Sequence, residues 1–279
     1  MNWLIIDEII KNALIEDSVY GDISTNSILS EHSLCSVQLI VKENGVIAGL
    51  HVFKRVFDLI GNVQVEFKVR DGEKVENKQI IGIIKGNTRN VLTGERIALN
   101  LLQRMSGIAT ITNKMVQKID GSKAKLLDTR KTTPNLRILE KYSVKVGGGC
   151  NHRFSLSDGV MLKDNHIQAA GGITNAVRLA KENTSFVRKV EVEVESIEEV
   201  KEALEAGADI IMLDNMSIEN MKEAVKIIDK KAITEASGNV SIDKIRSIAE
   251  TGVDYISCGA LTHSVKALDI SMKNLIIEN

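Results

Sequence analysis

The chain has 279 residues, 43% hydrophobic and 26% charged, with a formal net charge of −1, which suits one large or two moderate globular domains. A balance this close to neutral offers no global field for nucleic acid or an anionic membrane. No apolar run approaches the ~18 residues of a membrane span, and Cys35, Cys150 and Cys258 lie far apart without CxxC spacing, so a soluble protein with free thiols in a reducing cytoplasm is expected.

Trp3, Leu4, Ile6, Ile9, Ile10 and Leu14 form an amphipathic helical stripe, followed by a turn-like segment through Gly21-Asp22. Alternating apolar runs at 36–42 and 46–50 flank Glu43-Asn44-Gly45, a hairpin signal. A short helix over 51–60, a strand over 63–69 turned by Asp71-Gly72, and a strand over 80–84 complete an α+β unit with an antiparallel sheet. A long helix is expected from an N-cap at Thr93, with Ile97, Leu101, Met105, Ile108 and Ile111 at helical spacing. That start puts Arg96 in the first turn, where a cation opposes the helix dipole by a few tenths of a kcal/mol. Arg96 is then either a solvent-facing side chain or one placed for an external carboxylate.

From Ala124 the rhythm changes. Apolar runs at 124–127, 159–162, 190–194, 209–213, 232–234 and 253–256 alternate with helical patterns near 175–181, 197–206, 218–229 and 241–250. Such alternation means parallel strands joined by crossovers, and the polar groups ending the runs favour a barrel with its site on that rim. The expected architecture is α/β: an N-terminal α+β sandwich over 1–110, joined by the tail 268–279, and an incomplete, about six-stranded parallel barrel over 111–267. The alternating tail 270–277 is expected to return to the first sheet.

The strand ends carry the chemistry. After Leu127 comes Asp128-Thr129-Arg130-Lys131-Thr132-Thr133-Pro134, with two adjacent cations and the chain's single proline, which ends any ladder and keeps Thr133 extended. Ser237-Gly238 and Ser257-Cys258-Gly259 allow backbone N–H groups to approach an anion, with a helix expected from Ser241 to add positive potential. Glu191, Glu193 and Glu195 alternate in a strand that should be nearly all apolar, so some of them face the interior. Asp214 ends the next strand, and Asp214-Asn215 serves either as a helix cap or as a second carboxylate beside Glu193, suited to Mg²⁺ and ribose hydroxyls. Lys163 ends a strand without any packing need for a cation. Gly147-Gly148-Gly149 precede His152-Arg153 and could act as a helix C-cap.

Taken together, Glu95-Arg96-Ile97-Ala98-Leu99-Asn100, the Asp128–Pro134 run, Gly147-Gly148-Gly149-Cys150-Asn151-His152-Arg153, Lys163-Asp164-Asn165-His166, the Glu-Val-Glu strand, Leu213-Asp214-Asn215, Glu235-Ala236-Ser237-Gly238 and Gly259-Ala260 resemble the quinolinate phosphoribosyltransferase family along nearly the whole chain. Asn239 stands where many members carry a second glycine. The resemblance implies transfer from 5-phosphoribosyl-1-pyrophosphate (PRPP) to quinolinate with loss of CO₂, giving nicotinate mononucleotide and pyrophosphate for NAD synthesis. It implies Arg130, Arg153, His152, Lys163 and, from a partner subunit, Arg96 around quinolinate, with Lys131 between quinolinate and the phosphates. Glu193 and Asp214 would hold the ribose hydroxyls and Mg²⁺; Ser237, Gly238 and Gly259 would hold the 5-phosphate. A homodimer follows, its further assembly left open. The alternative is a molybdenum-transport-associated paralogue of the same fold with another acceptor.

Overall fold

The computed structural model describes residues 1–278. Two compact units emerge: Met1–Asn113 with Thr133–Gly148 and Val265–Asn279, and Lys114–Thr132 with Gly149–Ser264.

The first unit opens with α1 (Trp3–Asp17), capped by the Asn2 side chain and burying Ile6 and Ile10 one turn apart. Asp22 caps α2 (Ile23–Ile28), accepting from Thr25 N. In β1 (Leu34–Val41) alternate residues are buried. β2 (Gly45–Val46) leads to α3 (Leu50–Ile60), then β3 (Val63–Phe67), β4 (Lys74–Val75) and β5 (Ile80–Asn87). The first turn of α3 is satisfied from outside: Asp71 accepts from Gly49 N and Leu50 N, and also from the Tyr142 hydroxyl. Phe53 packs edge-on against Phe57 and Phe67 within a core that is otherwise mainly aliphatic.

Two expectations change here. The Asn44-Gly45 turn makes no hairpin: β1 pairs with β5 and the C-terminal strand, whereas β2 pairs with β4. Gly45 meets a different demand, since a Cβ there would come within 2.5 Å of the Leu268 side chain and 2.8 Å of Thr110 Oγ1. The long helix α4 (Thr88–Lys118) also starts earlier, directly from β5. Asn87 accepts from Asn90 N as its cap, so Thr93 is interior and Arg96 lies more than two turns in. The first-turn dipole argument for Arg96 therefore falls; it is an exposed residue in mid-helix.

Beyond α4 come β6 (Lys125–Leu127), α5 (Arg137–Val146), β7 (Val160–Leu162), α6 (Asp164–Ala170), α7 (Ile173–Asn183), β8 (Val190–Val194), α8 (Ile197–Glu205), β9 (Ile210–Asp214), α9 (Ile218–Ile228), β10 (Ile233–Ser237), α10 (Ile245–Ala249), β11 (Tyr255–Ser257), α11 (Ala260–His263) and β12 (Ile270–Glu278). β12 returns to pair antiparallel with β1, giving the four-stranded order β12-β1-β5-β3. α5 belongs to the first unit, where Leu139 joins the core and Ile138, Tyr142 and Val146 pack against it.

The second unit is built on a six-stranded parallel sheet in the order β6-β11-β10-β9-β8-β7. β6 and β7 lie at its two ends and do not pair with each other, so the barrel has an open seam. Beside β6, Leu127 bridges in parallel to Cys150, and the segment Cys150–Arg153 follows this free edge. From there Arg153 reaches the other side: Nη1 donates to Gly159 O (3.1 Å), just before β7. In β8, Val190, Val192 and Val194 are buried while Glu191 and Glu193 line interior cavities. α10 begins at Ile245 and spans five residues, so the helix start expected at Ser241 is absent. A turn through Ser241–Lys244 precedes it, with Ile245 N donating to Ser241 O.

Candidate active site

The strand ends converge on a cavity of about 580 Å³. One flank is cationic: Arg130 and Lys131 from the loop after β6, His152 and Arg153 from the seam segment, and Lys163 just past β7. The other carries Glu193 from β8, Asp214 and Asn215 from β9, and Ser237, Gly238 and Asn239 from β10. Of the sequence-derived residues, Lys131, Glu193, Asp214, Arg130, His152, Arg153, Lys163, Ser237 and Gly238 all line this one space. Gly259 is not in the lining but adjoins it, since a Cβ there would lie 3.0 Å from the Lys131 side chain. Arg96 belongs to the other unit and is not among the lining residues.

Local chemistry explains each placement. Ser217, not Asp214 or Asn215, caps α9 by accepting from Asn220 N, so Asp214 is not consumed as a helix cap. Asp214 sits level with Ser237 in the β9–β10 register, and Asn215 N donates to Ser237 O. The Asn215 side chain donates to Asp214 and accepts from Asn239 Nδ2 (2.9 Å), binding the two loops together. Gly238 has φ +89, and a Cβ would stand 2.1 Å from Asn215 Oδ1, so glycine is required on both counts. Asn239, in place of a second glycine, takes φ +50, a left-handed conformation that asparagine tolerates best among L residues. Lys163 and Glu193, at the ends of the neighbouring strands β7 and β8, form an ion pair. The loop after β6 is tied down at Lys131, whose carbonyl accepts from Thr262 Oγ1 (2.8 Å).

Asp128 is the anchor that the strand pattern alone does not reveal. Fully buried, it accepts from His152 N (2.9 Å) and Asn151 Nδ2 (2.5 Å), pinning the seam segment that presents His152 and Arg153. Thr133 N donates to the buried Glu140, which also pairs with Arg104, holding the far end of the same loop in the first unit.

The electrostatics are those of an anion pocket. Burial lowers the proton affinity of Arg153, and the nearby charge of Arg130 lowers it further; two such cations favour a ligand with more than one negative group. Below them, His152 contacts the buried carboxylates of Glu191 and Glu235. Burial disfavours the imidazolium and the two carboxylates favour it; the Arg153 peptide N–H donated to Nδ1 leaves the ring one hydrogen, on Nε2. Burial raises Glu191 above the ordinary carboxylate range, and the nearby Glu235 charge adds to it. Glu193 and Asp214 together supply the hard oxygen donors, facing the phosphate-type loop, that suit Mg²⁺ held jointly with a ligand's phosphates.

Comparison with known proteins gives the chain a family. Family models of the quinolinate phosphoribosyl transferase N-terminal and C-terminal domains cover residues 22–106 and 108–273. A Bacillus subtilis protein named probable nicotinate-nucleotide pyrophosphorylase (carboxylating) is 43% identical over 273 residues, spanning 98% of this chain and 94% of that one. A Methanocaldococcus jannaschii protein of the same name is 44% identical, with 95% of each chain covered. The crystal structure of NadC from Streptococcus pyogenes aligns with a TM-score of 0.96 at 46% identity, covering 100% of this chain and 99% of that one. No helix among the described residues is long and apolar enough to cross a membrane. With both domain models matched in order and relatives above 40% identity over almost its full length, the chain belongs to the quinolinate phosphoribosyl transferase family.

Proposed function

We propose that this chain transfers the phosphoribosyl group of PRPP to the ring nitrogen of quinolinate with decarboxylation, yielding nicotinate mononucleotide, CO₂ and pyrophosphate. The observation that carries the reading is the division of a single cavity into a cationic flank and a flank of paired carboxylates beside a tight Ser-Gly loop. Arg130 and Arg153 grip the two adjacent carboxylates of quinolinate, with His152 and Lys163 completing the pocket. Lys131 stands between quinolinate and the PRPP phosphates, and the backbone around Ser237, Gly238 and Gly259 receives the 5-phosphate. Glu193 and Asp214 hold the ribose hydroxyls and stabilise positive charge as it develops at C1 and pyrophosphate departs. They are also the residues that would hold Mg²⁺, which when bound neutralises the pyrophosphate leaving group.

Once its nitrogen carries the ribosyl group, the pyridine ring is cationic. The C2–carboxylate bond then breaks with its electron pair left on C2, stabilised by the adjacent N⁺; CO₂ leaves and the pair takes a proton. No organic cofactor is required. The Lys163–Glu193 pair compensates these two charges until the substrates separate it. Family resemblance further supports a homodimer in which Arg96 of one subunit completes the quinolinate pocket of the other. A molybdenum-associated acceptor is disfavoured by the quinolinate and nicotinate-nucleotide names of the relatives.

Substrate discrimination tests the reading. Nicotinate lacks one carboxylate, and leaving a partly buried cation unpaired costs several kcal/mol. Turnover with nicotinate is therefore expected to be at least 1,000-fold below that with quinolinate, on the order of 4 kcal/mol; comparable rates would overturn the pocket assignment.

A further inference from the structure

Beneath the rim the barrel interior stays polar. Where barrels usually pack apolar side chains, Glu191, Glu235 and Ser257 are 3%, 2% and 3% exposed. The His152 Nε2 atom lies 3.3 Å from Glu191 Oε2 and 3.3 Å from Glu235 Oε2. On the ring's other side, Arg153 N donates to Nδ1 at 2.7 Å. A peptide N–H can donate only to a bare ring nitrogen, so the ring hydrogen resides on Nε2 and points at the carboxylates. Both ring nitrogens are thus committed within the protein.

The same fact argues against a metal. Donor atoms of His152, Glu191 and Glu235 lie within 4.8 Å of one another, but a cation on Nε2 would displace its hydrogen while Nδ1 stays bare, leaving an imidazolate. Nor is the cluster a stability device. Glu235 Oε1 is buried with no hydrogen-bond partner, and burial of two carboxylates is costly in itself. What the pair holds is a ring that is bonded in turn to the Arg153 peptide. Arg153 then extends to Gly159 O and, at 3.5 Å, to Met161 Sδ, which fixes its guanidinium on the cavity wall.

We propose that Glu191 and Glu235 are positioning residues for the dicarboxylate pocket: they grip the His152 ring by its Nε2–H, the ring grips the Arg153 peptide, and the Arg153 guanidinium is thereby set for its carboxylate. His152 thus serves quinolinate through the segment that it orders as well as by lining the pocket. The proposal rests on the reading that Arg153 binds quinolinate.

The test uses the whole enzyme, with Glu191→Ala, Glu235→Ala, Glu235→Gln and, as a separate control, Arg153→Ala. A misaimed guanidinium should raise the KM for quinolinate about 10- to 100-fold while leaving that for PRPP within about threefold. Glu235→Gln, whose amide oxygen still accepts Nε2–H, should recover most of the quinolinate affinity. Equal losses on both substrates would mean a merely structural role and overturn the proposal. A readout that needs no variant to fold is ¹⁵N NMR of the histidine-labelled wild-type enzyme: Nε2 protonated and Nδ1 bare is the expected state of His152, and hydrogen on Nδ1 would refute the geometry. If Arg153→Ala leaves the quinolinate KM unchanged, the pocket reading fails and takes the proposal with it. If Arg153→Ala raises it while the glutamate-to-alanine variants do not, the pocket stands and only the positioning role falls.

Discussion

Gly238→Ala separates backbone strain from site geometry. Gly238 has φ +89, and an added Cβ would meet Asn215 Oδ1 at 2.1 Å and Asn215 N at 2.9 Å. Gly171 is the matched control: φ +81, with nothing within 4 Å of its Cβ. Both substitutions place an L residue in the left-handed region, about 1–2 kcal/mol. Only Gly238→Ala must also expel the Asn215 side chain, losing its bonds to Asp214 and Asn239, roughly 1 kcal/mol each. Gly171→Ala should therefore cost about 1–2 kcal/mol and Gly238→Ala about 3–4 kcal/mol, or roughly 10 °C in Tm at 2–4 °C per kcal/mol. Thermal melts and calorimetric titrations of each substrate measure the two effects. Loss of PRPP affinity in Gly238→Ala, with quinolinate binding retained, is expected; wild-type PRPP affinity would refute the assignment of this loop to the 5-phosphate.

Asp128→Ala removes the acceptor of the His152 N–H and of the exposed Asn151 amide, so urea unfolding should show a loss of about 1–3 kcal/mol, and quinolinate affinity should fall more than PRPP affinity; a loss below about 0.5 kcal/mol would contradict the anchoring role. The His152 cluster predicts a pH effect. Burial of Glu191, with the Glu235 charge beside it, holds its carboxyl above the ordinary carboxylate range. A carboxyl raised on folding contributes stability that is complete below its unfolded value of ~4.3 and is lost as pH rises through the folded value. Urea midpoints of the wild type should fall more steeply as pH rises above about 4.3 than those of a Glu191→Gln variant, and parallel slopes would refute the raised carboxyl. For Arg96, mixing Arg96→Ala with Arg130→Ala subunits should restore activity to roughly a quarter of wild type, since about half of random dimers are mixed and each carries one intact site. A mixture as inactive as its parents, despite subunit exchange, would place Arg96 in its own chain's site or outside it.

The barrel was legible because its signals are local. Each strand run ends in a polar group, and parallel pairing places all those ends on one rim, so Lys163, Glu193, Asp214 and Ser237 could be grouped before any coordinates. The tail was equally readable, because alternation over 270–277 requires a sheet. What failed depended on partners far along the chain. Gly45 looked like a hairpin glycine, yet its constraint comes from Leu268 and Thr110. Thr93 resembled a cap, but Asn87 already caps a helix running on from β5. The amphipathic pattern of α5 does not say which core receives Leu139. Glu235 lies beyond the expected run 232–234, whereas β10 continues to Ser237; that it closes on His152 and Glu191 follows only from the barrel's curvature and the path of the seam segment.

The most direct test of the central claim follows the carboxyl carbon. Quinolinate labelled at the C2 carboxylate is incubated with PRPP, Mg²⁺ and the enzyme, and labelled CO₂, pyrophosphate and nicotinate mononucleotide are quantified together. Equal amounts of all three, with no CO₂ released when PRPP is omitted, are expected, because ribosylation must precede loss of the carboxylate. Release of CO₂ without PRPP, or consumption of PRPP with quinolinate recovered intact, would contradict the account.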